Sequence, residues 1–533
     1  MSGLKSKRVR ICLVHLLPLL LSLVIGAIIA YFAGQDQNWD LFNYHFYNPY
    51  ALLHHREYMD FAPAGMQTFF NPLMDIIPYL LIVSFKPVLV GLSLGAIQGL
   101  NLWIVYEICL LMLRSYIKHW SLYVFAFFIA IASFMGAGNL SEIGATMGDN
   151  ISSIFVLAGL LLYLISYLNK DRKYSKWIKA GGFVLVGAAT GLKLTNAPYA
   201  IGLFALELIY SRGFLTILKR TLINGFWAFI GLLISYGYWG YYLYSRFKSP
   251  LFPNFNSIFK SPYYPYINFH DSRFFPHGLL QTIFYPFYFT VKQKLTAEVV
   301  YRDARLAVLY AAILILALIA FGLILARKKR LSIPPLTSML IFFVVVSYVL
   351  WESEFSIYRY VIPIEFLSLI GITSIVFILI RYNRIAISIV VITIISFTTI
   401  PMNWGRTTWK PAFFGIQMPY KIQPNSMLIL AGGEPEGFIV PFLPHSVSVI
   451  SMYSSIDPSN QNLLIKELLH SRINTALKQR RPIYGIESLY NGVNEKYDYL
   501  SYGFVFNSCS PINTYNPFKK PVYFLCKLQY INE

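Results

Sequence analysis

Charge is the scarcest property of this chain. Asp, Glu, Lys and Arg together make up 13% of its 533 residues, whereas 56% of the residues are hydrophobic. A typical soluble domain has about a quarter of its residues charged, so no soluble core would absorb this much apolar chain. The apolar residues also come in blocks of roughly 20, the length that a helix needs to cross a bilayer. The composition therefore predicts an α-helical polytopic membrane protein.

Acidic residues are especially few. The chain has 24 Asp and Glu against 44 Lys and Arg, a formal excess of 20 positive charges. Such an excess also occurs in proteins that bind nucleic acid, but here the basic residues lie in short clusters between apolar blocks. The membrane interpretation accounts for that arrangement, and we expect no nucleic-acid partner.

Cysteines and the motifs of metal or cofactor sites are also sparse. Cys12 and Cys109 fall in apolar blocks, where they serve as packing residues, and Cys509 and Cys526 lie in the polar C-terminal region. The last two permit a disulfide if that region is extracytoplasmic, and the sequence leaves this bridge open. The sequence contains no HExxH motif, no P-loop lysine and no G-x-S-x-G signature. We therefore expect neither a metal nor a cofactor.

Eleven apolar blocks are interpreted as transmembrane helices, and the basic residues support this number. With the N-terminus in the cytoplasm, six cytoplasmic segments carry 20 Lys and Arg, whereas the short outer segments 138–149, 191–196 and 352–360 carry only Lys193 and Arg359. This is the positive-inside asymmetry, and the odd number places the C-terminus outside the cytoplasm. The first block lacks a clear cleavage site and is expected to be a retained span. The expected spans cover residues 11–33, 88–113, 120–137, 150–168, 180–193, 196–210, 221–244, 304–326, 336–351, 361–380 and 385–400.

Three long segments are expected on the outer side of the membrane. Residues 34–87 contain aromatic elements suited to the interface and an apolar stretch too short to span comfortably. Residues 245–303 are rich in Pro, Tyr, Phe and Asn. Residues 401–533 show the patterns of a small α/β domain, with predicted strands in SMLILAGG, SVSVISMYS, YGFVFNS and VYFLCKLQYI and a predicted helix in NLLIKELLHSRINTALKQR. The chain is thus divided into a transmembrane domain, residues 1–400, and an extracytoplasmic domain, residues 401–533.

Ionisable groups at membrane depth are energetically unfavourable and mark functional cavities. Asp40 opens a short amphipathic element directly after the first span, where its carboxylate acts either as a general base or as a helix N-cap. Lys193 lies in the GLKLTNAP break between the fifth and sixth spans, and Arg359 lies in FSIYRYVIP. Each either binds a phosphate or extends to the membrane interface.

Five further polar residues are candidates for the acceptor side of the same cavity. Asp149 and Asn150 either cap the fourth span or contact an acceptor or metal. Asp75 is expected to line the cavity, and Asn43 and His45 follow Asp40 closely in the sequence.

These features resemble the GT-C superfamily of membrane glycosyltransferases. Within it, the segments WDLFNYHFYNPYALL, FAPAGMQTFFNPLMDIIPY, GDNISS, GLKLTNAPYAIGL and IYRYVIPIEFL are similar to bacterial members of glycosyltransferase family 87. The resemblance covers about residues 11–400. It implies a GT-C-like fold with about 11 transmembrane helices in a bacterial inner membrane. It also implies an inverting enzyme that moves a sugar from a polyprenyl-phosphate carrier to a glycan or lipid acceptor.

The same resemblance assigns roles to individual residues. Asp40 matches the family's acidic residue after the first span, with Asp36 as second choice, and Lys193 and Arg359 would contact the lipid phosphate. Asp36 and Asp40 are four residues apart and form no D-x-D or E-x-D motif, which puts metal dependence in doubt. Two other functions remain open: a transporter or flippase of lipid-linked sugars, and a polysaccharide polymerase or ligase that uses the same cavity.

Overall fold

The chain is mostly helical, and its helices follow the apolar blocks. The computed structural model describes residues 12–211, 213–268, 271–327, 331–431, 434–452, 455, 463–489, 499–500, 502–515 and 522–531. The helices before residue 250 are α1 (Leu17–Ala33), α2 (Tyr47–Leu53), α3 (Ile76–Ser84), α4 (Pro87–Gln98), α5 (Leu100–Leu113), α6 (Ser121–Phe134), α7 (Ala137–Glu142), α8 (Asp149–Leu168), α9 (Ser175–Leu192), α10 (Ala197–Tyr210) and α11 (Phe214–Phe247). After it come α12 (Asn256–Phe259), α13 (Leu279–Ile283), α14 (Tyr285–Val291), α15 (Arg305–Leu325), α16 (Pro335–Glu354), α17 (Ile362–Leu379), α18 (Arg384–Phe397) and α19 (Leu464–Lys478).

The long apolar helices match the predicted spans. Within the described ranges, seven helical segments are long and apolar enough to cross a membrane. They contain α1, the pair α4–α5, α8, α11, α15, α16 and α17, and the shorter α6, α9, α10 and α18 occupy the other four predicted positions. The segment Leu73–Ser84, which contains α3, is short, as its sequence indicated. The prediction of a multi-pass helical membrane protein is confirmed.

Glycines let α9 approach its neighbour α11 at backbone distance. A Cβ on Gly187 would lie 1.9 Å from the carbonyl oxygen of Ala228, and one on Gly231 would lie 2.0 Å from that of Val184. Small residues of this kind are what allow membrane helices to pack closely. The contact fixes the end of α9, which Lys193 follows directly.

The described part of the C-terminal region forms a five-stranded sheet accompanied by the helix α19, which confirms the predicted small α/β domain. The strand order is β4 (Ser448–Ser451), β3 (Met427–Leu430), β5 (Ile483–Leu489), β7 (Val522–Tyr530) and β6 (Phe504–Pro511). Strand β3 runs parallel to β4 and β5, whereas β7 is antiparallel to β5 and β6. The sequence predicted β3, β4, β6, β7 and the helix α19 but missed β5, because RPIYGIESL lacks a clear period of two.

Cys509 and Cys526 are directly opposite each other on β6 and β7 and form a disulfide. The sequence had left this bridge open. The register of β6 against β7 decides it.

The C-terminal domain packs on the long segment that follows α1. Strand β1 (Gln35–Asp36) pairs with β2 (Arg406–Thr407), and Phe61 forms a bridge with Ile450. The buried Arg56 donates hydrogen bonds to the carbonyl oxygens of His445 and Val447 at 2.7 and 2.6 Å. Residues 34–87 are therefore held between the membrane helices and the sheet.

Candidate active site

The segments that the sequence placed on one side of the membrane meet at one end of the helix bundle. Four charged side chains from four of these segments form two ion pairs, and we refer to them together as the ionic cluster. Its members are Asp40, Asp149, Lys193 and Arg359.

Asp40 pairs with Arg359 across 319 residues of sequence. Arg359 Nη1 donates to Asp40 Oδ2 at 2.6 Å, and Asp40 is 8% exposed. Burial alone would raise the pKa of Asp40, but the charges of Arg359, His45 and Lys193 together hold it below its ordinary value. Asp40 is therefore a carboxylate at neutral pH.

The alternative role of Asp40 as a helix cap is wrong. Asp40 precedes the π-helical turn Leu41–His45, but its side chain makes no capping hydrogen bond. The Leu41 N–H instead donates to Asn38 Oδ1 at 2.8 Å. The carboxylate of Asp40 is thus available to the ionic cluster.

Lys193 occupies the break between α9 and α10, as its sequence context predicted. Its Nζ lies 2.6 Å from Asp149 Oδ1 and donates to the carbonyl oxygen of Met147 at 3.1 Å. Only 15% of its side chain is exposed, and its charge is balanced by the Asp149 carboxylate. Asp149 opens α8, but its Oδ1 pairs with this lysine instead of capping the helix.

Tyr360, which the sequence did not single out, contacts both cations of the ionic cluster. Lys193 Nζ and the Arg359 guanidinium are 5.3 and 5.1 Å from the centre of its ring. Arg359 Nη2 donates to its hydroxyl at 3.2 Å, and Tyr199 donates to its carbonyl oxygen at 2.5 Å. Its place beside Arg359 in IYRYV was the signal that would have identified it.

His45 and Asp75 form a second buried pair beside the ionic cluster. Nδ1 of His45 lies 2.8 Å from Asp75 Oδ1, and both side chains are at most 4% exposed. Burial raises the pKa of Asp75, while the charges of His45 and Lys193 oppose that shift. His45 Nε2 is buried and has no hydrogen-bond partner.

Asn150 and Glu142 organise the turn that carries Asp149. One oxygen of Glu142 accepts the backbone N–H groups of Asp149 and Asn150 at 3.1 and 3.2 Å. The Asn150 side chain donates to Asn139 Oδ1 at 3.2 Å. Burial and the charge of Asp149 raise the pKa of Glu142 well above its ordinary value. This turn positions Asp149 against Lys193.

Two predicted residues lie apart from the ionic cluster. The carboxylate of Asp36 accepts hydrogen bonds from the backbone and side chain of both Asn38 and Thr146, at 2.7 to 3.1 Å. Asn43 donates to the carbonyl oxygen of Ala64 at 3.3 Å. Asp36 therefore joins β1 to the turn before α8, and Asn43 joins the π-helical turn to the rest of the segment 34–87.

One group in the described ranges brings three potential metal ligands together, and it does not suit a metal. Glu487, Cys509 and Cys526 meet in the C-terminal sheet. The two sulfurs are bonded to each other, so neither is available as a thiolate ligand.

An apolar cavity of about 620 Å³ opens between α15 and α16. Its walls include Leu309, Val345 and Ile364, and the buried carboxyl of Glu352 lies at its edge. Ile364 belongs to the first turn of α17, which follows Arg359 and Tyr360 directly. The wall of the cavity and the ionic cluster are therefore joined by a few residues of the chain.

Comparison with known proteins identifies the fold. No family model and no curated protein matches this sequence, so the resemblance to glycosyltransferase family 87 stays a prediction. Two solved structures match, both of ArnT from Cupriavidus metallidurans, one bound to undecaprenyl phosphate and one in the apo state. Each is 12% identical over 95% of this chain and 97% of ArnT, with TM-scores of 0.53 and 0.50. The chain has the GT-C-like membrane fold of these ArnT structures, with a small C-terminal α/β domain.

Proposed function

We propose that this protein is an inverting glycosyltransferase that moves a sugar from a polyprenyl-phosphate carrier to a glycan or lipid acceptor. The observation that carries the proposal is the convergence of Asp40, Lys193 and Arg359, which come from three distant segments, in one ionic cluster. The shared fold supports it, because one of the ArnT structures was solved with undecaprenyl phosphate bound.

Lys193 and Arg359 hold the phosphate of the donor. Arginine binds phosphate oxygens through two parallel N–H groups, and lysine supplies a compact positive charge. Both cations are balanced by carboxylates in this structure, so an entering phosphate shares them with Asp40 and Asp149. As the sugar–phosphate bond breaks, the two cations stabilise the negative charge that develops on the leaving oxygen.

Asp40 acts as the general base. The acceptor hydroxyl gives its proton to the Asp40 carboxylate, and its oxygen forms a bond with the anomeric carbon of the sugar. The bond between that carbon and the phosphate oxygen breaks, and the polyprenyl phosphate leaves with the electron pair. A single displacement from the opposite face inverts the configuration at the anomeric carbon.

A transfer assay with the wild-type protein in proteoliposomes tests this function. We expect it to release undecaprenyl phosphate from an undecaprenyl-phosphate-linked [14C]hexose, with mannose tested first and other hexoses after it. The acceptors are the lipid and glycan extracts of the cells that make the protein. Transport of an intact labelled donor across the membrane without bond cleavage would contradict the proposal and favour a flippase.

The orientation of the chain follows from its charge pattern. We place the ionic cluster, the segments 34–87 and 245–303 and the domain 401–533 outside the cytoplasm of a bacterial inner membrane. A C-terminal alkaline phosphatase fusion should therefore be active in cells, and the same enzyme fused after ARKKR should not. The opposite result would reverse the orientation.

The apolar cavity between α15 and α16 receives part of the carrier chain. Val345 lies on its wall, so Val345→Trp should fill space and raise KM for the undecaprenyl-phosphate donor by about tenfold, the effect of about 1.4 kcal/mol. The value of kcat should stay near that of the wild type, because the ionic cluster is unchanged. Leu318→Trp is the control, since Leu318 is 70% exposed and lies outside the cavity wall. Equal KM values for the two variants would contradict this role.

A further inference from the structure

His45 and Asp75 form a buried dyad that the proposed reaction does not yet use. Nδ1 of His45 lies 2.8 Å from Asp75 Oδ1, and His45 is 2% exposed. If Nδ1 carries the proton and donates it to Asp75, the lone pair of the other ring nitrogen is free to accept one. That nitrogen, Nε2, is buried and has no hydrogen-bond partner.

The π-helical turn brings this histidine to the side of Asp40. In an α-helix, residues five apart point about 140° away from each other around the axis. In a π-helix the hydrogen bonds run from residue i to residue i+5, so Asp40 and His45 lie one turn apart on similar sides. Both residues are buried, with 8% of Asp40 and 2% of His45 exposed. Single π-helical turns of this kind are frequent at functional sites.

Asp40 needs a second group to take its proton. Arg359 holds the pKa of Asp40 below its ordinary value, so the protonated carboxyl that the reaction forms is a strong acid. Asp40 is 8% exposed, and the proton does not pass freely to bulk water. Imidazole is the side chain that takes up and releases protons near neutral pH.

The charge balance of the reaction also favours proton uptake at His45. The donor is a phosphodiester with one negative charge, and the polyprenyl phosphate that leaves is a monoester with about 1.5 to 2 negative charges at neutral pH. A positive charge on His45 offsets the added negative charge, and Asp75 stabilises the imidazolium. The charged and titratable groups around the dyad are Asp40 just before the π-helical turn, Tyr44 on it, Lys193 after α9, and Arg359 and Tyr360 before α17.

We propose that His45 Nε2 is the proton acceptor that follows Asp40, with Asp75 as the residue that orients and stabilises it. The acceptor hydroxyl gives its proton to Asp40, and Asp40 passes it through one water molecule to His45 Nε2, because this nitrogen makes no hydrogen bond with Asp40 in the structure. The imidazolium releases the proton after the polyprenyl phosphate has left. This step rests on the proposed glycosyltransferase function.

The test uses the full chain in proteoliposomes with the labelled undecaprenyl-phosphate hexose. His45→Gln and Asp75→Asn should each lower kcat by about 10²-fold. The double variant should be no slower than the slower single one, because the two residues act as a unit. In His45→Gln the acid limb of the pH–rate profile should report the ionisation of Asp40 alone. Imidazole added to His45→Gly should restore turnover by about tenfold, which a purely structural role would not allow.

The control is His55→Asn, which should keep the wild-type rate and pH profile. The His55 side chain is 85% exposed, and its φ of 55° suits asparagine. Binding of undecaprenyl phosphate, measured without a reaction, should be the same in the wild type and in all variants.

The outcomes separate this proposal from the proposed function. If the wild type turns over, Asp40→Asn is inactive and the His45 and Asp75 variants match the wild type, the proton relay is wrong and the function stands. Loss of undecaprenyl phosphate binding in the His45 variants without imidazole rescue would make the dyad structural and also overturn the relay. If the wild type transfers no hexose to any acceptor, the function itself fails.

Discussion

We expect Asp40→Asn to lower kcat by about 10² to 10⁴-fold, the usual contribution of a general base. The amide keeps the shape of the carboxylate and a hydrogen bond to Arg359 but does not take the proton of the acceptor hydroxyl. Affinity for undecaprenyl phosphate should stay the same or increase, because Arg359 loses the carboxylate that competes for it. Release of undecaprenyl phosphate from the labelled donor measures the first effect, and binding of unlabelled undecaprenyl phosphate measures the second.

Asp271→Asn is the matched control for this prediction. Asp271 also lies 2.6 Å from an arginine, Arg273, but that arginine is 67% exposed and the pair lies in the segment 245–303. We expect its kcat to equal that of the wild type. A thermal unfolding curve for each variant shows that the protein is folded. Full activity of a folded Asp40→Asn protein would exclude Asp40 as the base.

Replacing Arg359 with Gln should weaken donor binding and slow the reaction together. A hydrogen bond to a charged group contributes about 1.5 to 3 kcal/mol, so the Kd for undecaprenyl phosphate should rise by about 10 to 150-fold. The value of kcat should fall as well, by about 10² to 10³-fold, because the leaving phosphate loses a group that stabilises its developing charge. The Kd and kcat of Arg359→Lys should lie between those of the wild type and those of Arg359→Gln, because lysine keeps the charge but not the paired N–H groups.

Arg359→Gln should also change the pH dependence of the reaction rate. Arg359 is the largest influence that lowers the pKa of Asp40, and burial is the largest that raises it. Without the arginine, burial prevails and the pKa of Asp40 rises. The reaction needs Asp40 ionised. When the pH is lowered, Arg359→Gln should therefore lose its residual activity at a higher pH than the wild type loses its activity. Arg273→Gln serves as the control, and an unchanged acid limb in Arg359→Gln would contradict the pairing.

The relation between the C-terminal domain and the site is visible only in three dimensions. Phe42 and Phe46 lie in and beside the π-helical turn, and their rings pack against Phe414 and Phe438 from the polar tail. A Cβ on Gly437 would lie 2.1 Å from the carbonyl oxygen of Asn43. The tail domain therefore supports the turn that carries Asp40 and His45.

The sequence by itself determined the membrane helices and the character of the tail. Long apolar blocks specify spans because the bilayer sets their length, and the basic residues between them predict an orientation. The break at Lys193 was visible because Gly191, Asn196 and Pro198 interrupt a helical pattern. These are local signals, which a chain carries whatever its tertiary structure. Strand β5 was missed because its local signal is weak, and only its pairing with β3 and β7 specifies it.

The tertiary structure alone decided which charged residues meet. Asp36 and Asp40 are four residues apart and were both candidates, yet Asp36 binds Asn38 and Thr146 while Asp40 binds an arginine 319 residues away. The pairing of His45 with Asp75 depends in the same way on helix packing and on the π-helical turn that carries His45. The contacts of Tyr360 with Lys193 and Arg359 also depend on helix packing. Buried charges require partners because burial without one is energetically unfavourable. The sequence shows which residues need a partner, and the packing of the helices determines which partner each one has.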